Sequence, residues 1–234
     1  MGTIYLNKDV VNKLKPASKN NKGEYGNCYK FRGKVLKIFT RKLEPYIETN
    51  IKRNLKRESD IIMYPISRVF VDEKNGYICD KASGLDLDTI MDMISNGKYN
   101  ISFDKLLSAY YDEFLDKLLK EKVLLEDIKP NHVFIDDSIS LIDSDFYKKV
   151  PVFMTNSNKN KRNLKKVNNS VISLVEYFLP SELNFSYNDI DSSSYLYKNL
   201  NNIKKVSGGQ INSLGNFLDY RFEDEQISEL RKLL

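Results

Sequence analysis

The sequence predicts an α+β fold, with a strand-rich N-terminal part followed by a helix-rich C-terminal part. Three observations carry this. Short apolar runs bounded by turn residues fill the chain from about residue 23 to residue 80. From residue 87 onward the apolar spacing changes to three and four, the helical period. The 234 residues suit one compact domain or two tightly joined lobes, and no internal repeat is visible. The expected boundary lies at Lys81-Ala82-Ser83-Gly84, dividing residues 1–81 from residues 82–234.

In chain order, CYKF (28–31) and KVLKIF (34–39) are strands flanking Arg32-Gly33, a turn in which glycine takes a positive φ at little cost. Ile47, Ile51 and Leu55, spaced by four, predict a helix. ISRVFVD (66–72) and GYICDK (76–81) read as two further strands, joined by a hairpin at Glu73-Lys74-Asn75. Leu87 to Ile94 reads as a short helix and Phe103 to Lys122 as a long amphipathic one. HVFID (132–136) and SLID (140–143) are short strands about Asp137-Ser138. Beyond Pro151 the helical pattern returns at VISLVEYFL (171–179) and at the C-terminal end. The charged, Asn-rich run from Lys159 to Lys166 reads as a solvated loop, with a phosphate-binding patch as the alternative.

Composition excludes several chemistries. Cys28 and Cys79 are the only cysteines and His132 the only histidine, too few for a disulfide framework, a structural zinc site or a histidine-based triad. The formal charge of +5 is modest and acidic residues are spread along the chain, so bulk charge alone argues little, and nucleic acid is not an expected partner. The N-terminus lacks the apolar run of a signal peptide, and no stretch approaches a membrane span. A reduced, cytoplasmic protein without a membrane partner is expected.

Three segments carry chemistry. Gly23-Glu24-Tyr25-Gly26 either closes backbone N–H groups over phosphates or forms a plain hairpin turn. Lys37, in Val35-Leu36-Lys37-Ile38, either snorkels at a sheet edge or sets its ammonium on phosphates. In the second role it needs a carboxylate from the next helix, and Glu48 is the candidate, with Glu44 and Glu58 behind it. The third segment joins Glu126-Asp127-Ile128-Lys129-Pro130-Asn131-His132 to Ile142-Asp143-Ser144-Asp145. A carboxylate, a lysine two residues on, and a second carboxylate after a later short strand fit phosphoryl transfer.

Across residues 22–148 the chain resembles a eukaryotic-type protein kinase, in the reduced form found among bacterial kinase-like proteins. The first segment resembles G-x-G-x-x-G with Asn21 for its first glycine, and the strand of Lys37 resembles V-A-I-K. The third resembles H-R-D-x-K-P-x-N followed by D-F-G. The resemblance implies a two-lobed protein-kinase-like fold with a small N-lobe and a helical C-lobe, binding ATP with magnesium or manganese between them. It implies Asp127 and Lys129 as catalytic residues and Asp143 as metal ligand. Gly23, Tyr25, Gly26, Cys28, Val35, Lys37, Cys79, Asp80 and Ala82 would then surround the nucleotide, with Cys79 as gatekeeper.

Departures from the pattern shape the expectation. Leu125-Glu126 stands for His-Arg, so regulation by loop phosphorylation is not expected. The catalytic-loop asparagine aligns with His132, with Asn131 one position early, so either serves a second metal or His132 simply starts a strand. Ser144-Asp145 stands for Phe-Gly, which offers Asp145 as a second carboxylate near the metal; on a strand both would point the same way. The expected function is an ATP-dependent phosphotransferase acting on a protein Ser/Thr. The alternatives are a pseudokinase that binds nucleotide or a partner protein, and a small-molecule kinase.

Overall fold

The computed structural model describes residues 3–17 and 25–234. Two compact units divide it: one is residues up to Ala82 together with Leu141–Tyr147, the other is Ser83–Ser140 with Lys148–Leu234. The sequence boundary therefore falls one residue early, and it misses a seven-residue return to the first unit. The return is held by backbone pairing. Leu141 N donates to the Ile61 carbonyl, and Met63 N donates to the Leu141 carbonyl.

The first unit is a five-stranded sheet in the order β1 (Ile4–Leu6), β4 (Pro65–Val71), β5 (Lys74–Cys79), β3 (Lys34–Phe39), β2 (Gly26–Phe31). β1 runs parallel to β4, and the other pairings are antiparallel. Arg32 and Gly33 both take positive φ, the conformation a two-residue hairpin turn requires. The β4–β5 turn lies earlier than the sequence suggests, at Asp72 and Glu73. Asp72 supplies the positive φ, which aspartate tolerates, and this frees Lys74 and Asn75 to pair.

The sheet buries both faces. Leu36, Ile38, Ile78, Val69 and Val71 pack with Val11 of the short helix α1 (Lys8–Asn12). On the other face Phe39, Tyr77 and Cys79 pack with Leu43 and with Ile47 and Ile51 of α2 (Pro45–Asn54). Pro45 opens that helix at its first turn, where a missing N–H costs nothing. Leu55, expected inside it, is the extended residue that ends it.

The second unit holds α3 (Leu87–Ser95), capped by Asp86, and a continuous helical run from Phe103 to Lys120, capped by Ser102. That run is α4 (Phe103–Ala109), a π turn (Tyr110–Phe114) and α5 (Leu115–Lys120). The π turn inserts a residue into the repeat, so Tyr110 and Phe114 join Leu106 and Leu118 in the core. Three short strands, β6 (Leu85–Asp86), β8 (Val133–Ile135) and β9 (Ile139–Leu141), form one sheet. β7 (Val123–Leu124) pairs with β10 (Lys148–Lys149).

The run from Lys159 to Lys166, expected as a solvated loop, lies inside α6 (Asn156–Glu176). Thr155 caps the helix, and Lys159, Asn163 and Val167 fall on one buried stripe. Two of these are polar, which hides the helical period from a hydrophobicity reading. Lys159 Nζ donates to the carbonyls of Leu119 and Glu121, and Asn163 exchanges hydrogen bonds with Leu125 N and the Val123 carbonyl. The chain continues through α7 (Tyr195–Val206) to α8 (Asp224–Leu233). Among the described residues no helix is long and apolar enough to cross a membrane.

Candidate active site

In the first unit, strand register builds a row across the sheet: Cys28 on β2 lies opposite Lys37 on β3, and Lys37 lies opposite Tyr77 on β5. Gly76 makes this close pairing possible, since a Cβ there would meet the Lys37 carbonyl oxygen at 2.3 Å. Lys37 is 6% exposed, with its neighbours Leu36 and Ile38 committed to the opposite face. The snorkelling alternative is therefore set aside.

The Lys37 ammonium is paired with two carboxylates. It lies 2.7 Å from Asp145 Oδ2 and also contacts Asp143 Oδ1. The Tyr77 hydroxyl donates to Asp145 Oδ1. Glu48, the expected partner, is elsewhere: it pairs with Lys52 at 3.1 Å and with Arg68 at 3.2 Å. The i,i+4 spacing to Lys52 and the reach of Arg68 from β4 hold it on the solvent side of α2.

Backbone geometry brings the two aspartates together. Asp143 takes a left-handed conformation (φ 63°), and Ser144–Phe146 form a 3-10 turn. The extended reading of this segment fails for that reason, although both carboxylates still reach one ammonium. Asn54 Nδ2 donates to the Ser144 carbonyl at 3.1 Å, and Ser144 Oγ donates to the Met63 carbonyl at 3.2 Å, which fixes the turn. Phe146 then enters the core beside Ile47 and Cys79, and Tyr25 packs edge-on against it at 5.1 Å. Arg41 stacks over the Tyr25 ring at 4.0 Å.

Burial would pull the Lys37 ammonium down, but Asp143 and Asp145 outweigh it and hold Lys37 above its ordinary value. Burial also raises the Cys28 thiol, to about 11, and raises Cys79 further. Both cysteines are free thiols.

Gly26 opens β2, and Val35 lies opposite Cys79. Asp80, exposed, pairs with Lys34, and Ala82 is buried at the end of the unit's first segment. Gly23 lies outside the described residues.

The second unit gathers the other expected residues. Asp127 takes a positive φ of 52°, and its carboxylate lies 3.1 Å from Lys129 Nζ, both at least a third exposed. The His132 ring is buried, and its Nδ1 lies 2.8 Å from the Asp127 carbonyl oxygen. His132 therefore braces the turn that carries Asp127, and Asn131 beside it is exposed. Glu126, standing where the pattern has arginine, pairs with Arg162 of α6 at 3.1 Å.

Tyr77 is the member of this cluster that the sequence reading passes over. The sequence puts both residues on short strands, and only the β3–β5 register sets Tyr77 opposite Lys37. Among the described residues no group of three or more His, Cys, Asp and Glu side chains is placed to hold a metal ion. Asp143 and Asp145 bring carboxylate oxygen donors together about one ammonium. That donor set suits magnesium, which is commonly held by one or two carboxylates and completed by substrate phosphates. No family model matches the chain, and no curated protein matches it.

Proposed function

We propose that the protein is an ATP-dependent phosphotransferase resembling a protein Ser/Thr kinase. The observation that carries the reading is Lys37, buried on the sheet and held charged between Asp143 and Asp145. A buried ammonium of this kind is expensive unless it is paired, and it is suited to meeting nucleotide phosphates. In this reading Lys37 binds phosphate, Asp143 would hold magnesium, and Asp127 orients the attacking hydroxyl while Lys129 faces the γ-phosphate. The metal, when bound, neutralises charge on the phosphates. The two free thiols fit a reduced, cytoplasmic setting.

The test is transfer of labelled γ-phosphate to the protein itself or to a generic basic protein, with magnesium or manganese. Wild type should transfer, and Asp127→Asn should not, while both gain thermal stability from magnesium-ATP. Equal background labelling in both, with either metal, would remove the catalytic claim.

One observation favours a nucleotide-binding pseudokinase as the second reading. His132, at the second-metal position of the pattern, is buried and engaged with the Asp127 carbonyl. In that case magnesium-ATP raises the melting temperature and no transfer is seen.

A further inference from the structure

The two carboxylates beside Lys37 sit in different surroundings. Asp145 is 0% exposed and has both oxygens engaged, Oδ1 by the Tyr77 hydroxyl and Oδ2 by Lys37 Nζ. The Asp143 side chain is 21% exposed. Glu48, on the helix that packs against this face, is committed to Lys52 and Arg68.

We propose that Asp145, braced by Tyr77, is the positioning residue for Lys37, and that Asp143 alone is the carboxylate that meets the metal. The inference rests on the nucleotide-binding reading and assigns the division of labour within it. A cation on Asp145 would have to displace two buried donors, taking from the Tyr77 hydroxyl its acceptor and from the Lys37 ammonium one of its two carboxylates, and buried polar groups resist that.

Asp143 shares the Lys37 ammonium, but the Tyr77 hydroxyl goes to Asp145, and the Asp143 side chain lies toward solvent. The backbone supports the same split. The left-handed Asp143 and the 3-10 turn after it send Asp145 back against the sheet. Lys37 and Tyr77 stand directly opposite one another on paired strands, so a single carboxylate can receive both. The lysine is thus anchored from the sheet and the turn, without a carboxylate from α2.

The experiment is calorimetric titration of ATP into the full chain at several magnesium concentrations. The variants are Asp143→Asn, Asp145→Asn, Lys37→Met, the Asp145→Asn/Lys37→Met double variant and Tyr77→Phe. Asp145→Asn should weaken ATP binding about tenfold and leave the half-saturating magnesium concentration within about twofold of wild type. In the Lys37→Met background the same change should alter ATP affinity by less than about twofold, because its effect passes through the lysine. Asp143→Asn should raise the magnesium requirement about tenfold or more.

Tyr77→Phe should weaken ATP binding about threefold without moving the magnesium midpoint, and it carries the test if Asp145→Asn melts before the assay temperature. If Lys37→Met binds too weakly to measure, the magnesium midpoints decide alone. A shift in magnesium requirement for Asp145→Asn or Tyr77→Phe as large as for Asp143→Asn overturns the assignment, as does an equal loss with and without Lys37. Wild type giving no ATP signal at any magnesium concentration is a different failure: it removes the nucleotide reading, and the inference with it.

Discussion

The Lys37 cluster and the Asp127 turn use the same side-chain chemistry in opposite settings. Each pairs lysine with aspartate, yet Lys37 and Asp145 are buried while Asp127 and Lys129 are at least a third exposed. A buried pair must be complete, because removing one member strands the other away from water. An exposed pair is screened and contributes little to stability. The first cluster is therefore bound into the fold, and in the proposed reading into the chemistry as well, whereas the Asp127 carboxylate has little structural duty.

The largest effect that would break or sharpen this contrast is expected at Asp145. Asp145→Ala should destabilise the protein by about 3–5 kcal/mol in urea unfolding, since it breaks a buried ion pair, leaving Lys37 one carboxylate instead of two and the Tyr77 hydroxyl without its acceptor. A loss no greater than that of a surface substitution would dissolve the contrast.

Lys159→Met comes next. It tests a buried lysine whose partners are carbonyls rather than carboxylates, and orphaning those of Leu119 and Glu121 should cost about 1–3 kcal/mol. Asp127→Asn should leave unfolding within about 0.5 kcal/mol of wild type, because asparagine accepts the same positive φ and the side chain is partly exposed.

The smallest effect concerns thiols. Burial raises Cys28 from its ordinary 9.0 to about 11, so the fold favours the neutral thiol. Its share of stability is constant below pH 9 and falls between about pH 9 and 11, as the unfolded chain loses its proton first. At pH 8 a thiol reagent should label folded Cys28 about a hundredfold more slowly than the urea-unfolded chain. Comparable rates would mean that this face of the sheet opens readily.

Much of the fold was legible because apolar periodicity reported it directly. The β2–β3 hairpin, α2, α3 and the long helical run all lie close to where spacing puts them. Legibility failed where polar residues take structural work. Lys159 and Asn163 are buried for their hydrogen bonds, so α6 reads as solvated charge. Asp72 makes a turn by tolerating a left-handed backbone, which a strand pattern does not reveal. At the site, the residue types and their order were visible, and Lys37, Asp143 and Asp145 do come together. Their partners were not, because choosing Asp145 over Glu48 depends on a φ of 63° at Asp143 and on cross-strand register. Neither is a local property of sequence.

The return of Leu141–Tyr147 to the first unit has a consequence for the order in which the chain assembles. Lys37 and Asp145 are 108 residues apart, so a ribosome has emitted the whole sheet long before the carboxylates exist. A fragment ending at Ala82 would hold a buried ammonium with neither of its aspartates, and it is a poor candidate for independent expression. Contacts of such long range slow folding, because the intervening loop must close before they reward it. The second unit shortens that search. Its β6–β8 pairing sets Leu85 opposite Ile135, and Ser83 hydrogen-bonds Asp136 at 2.6 Å, so the ends of the intervening segment are tied close together. Once that tie forms, the loop left to close between Lys37 and Asp145 is much shorter.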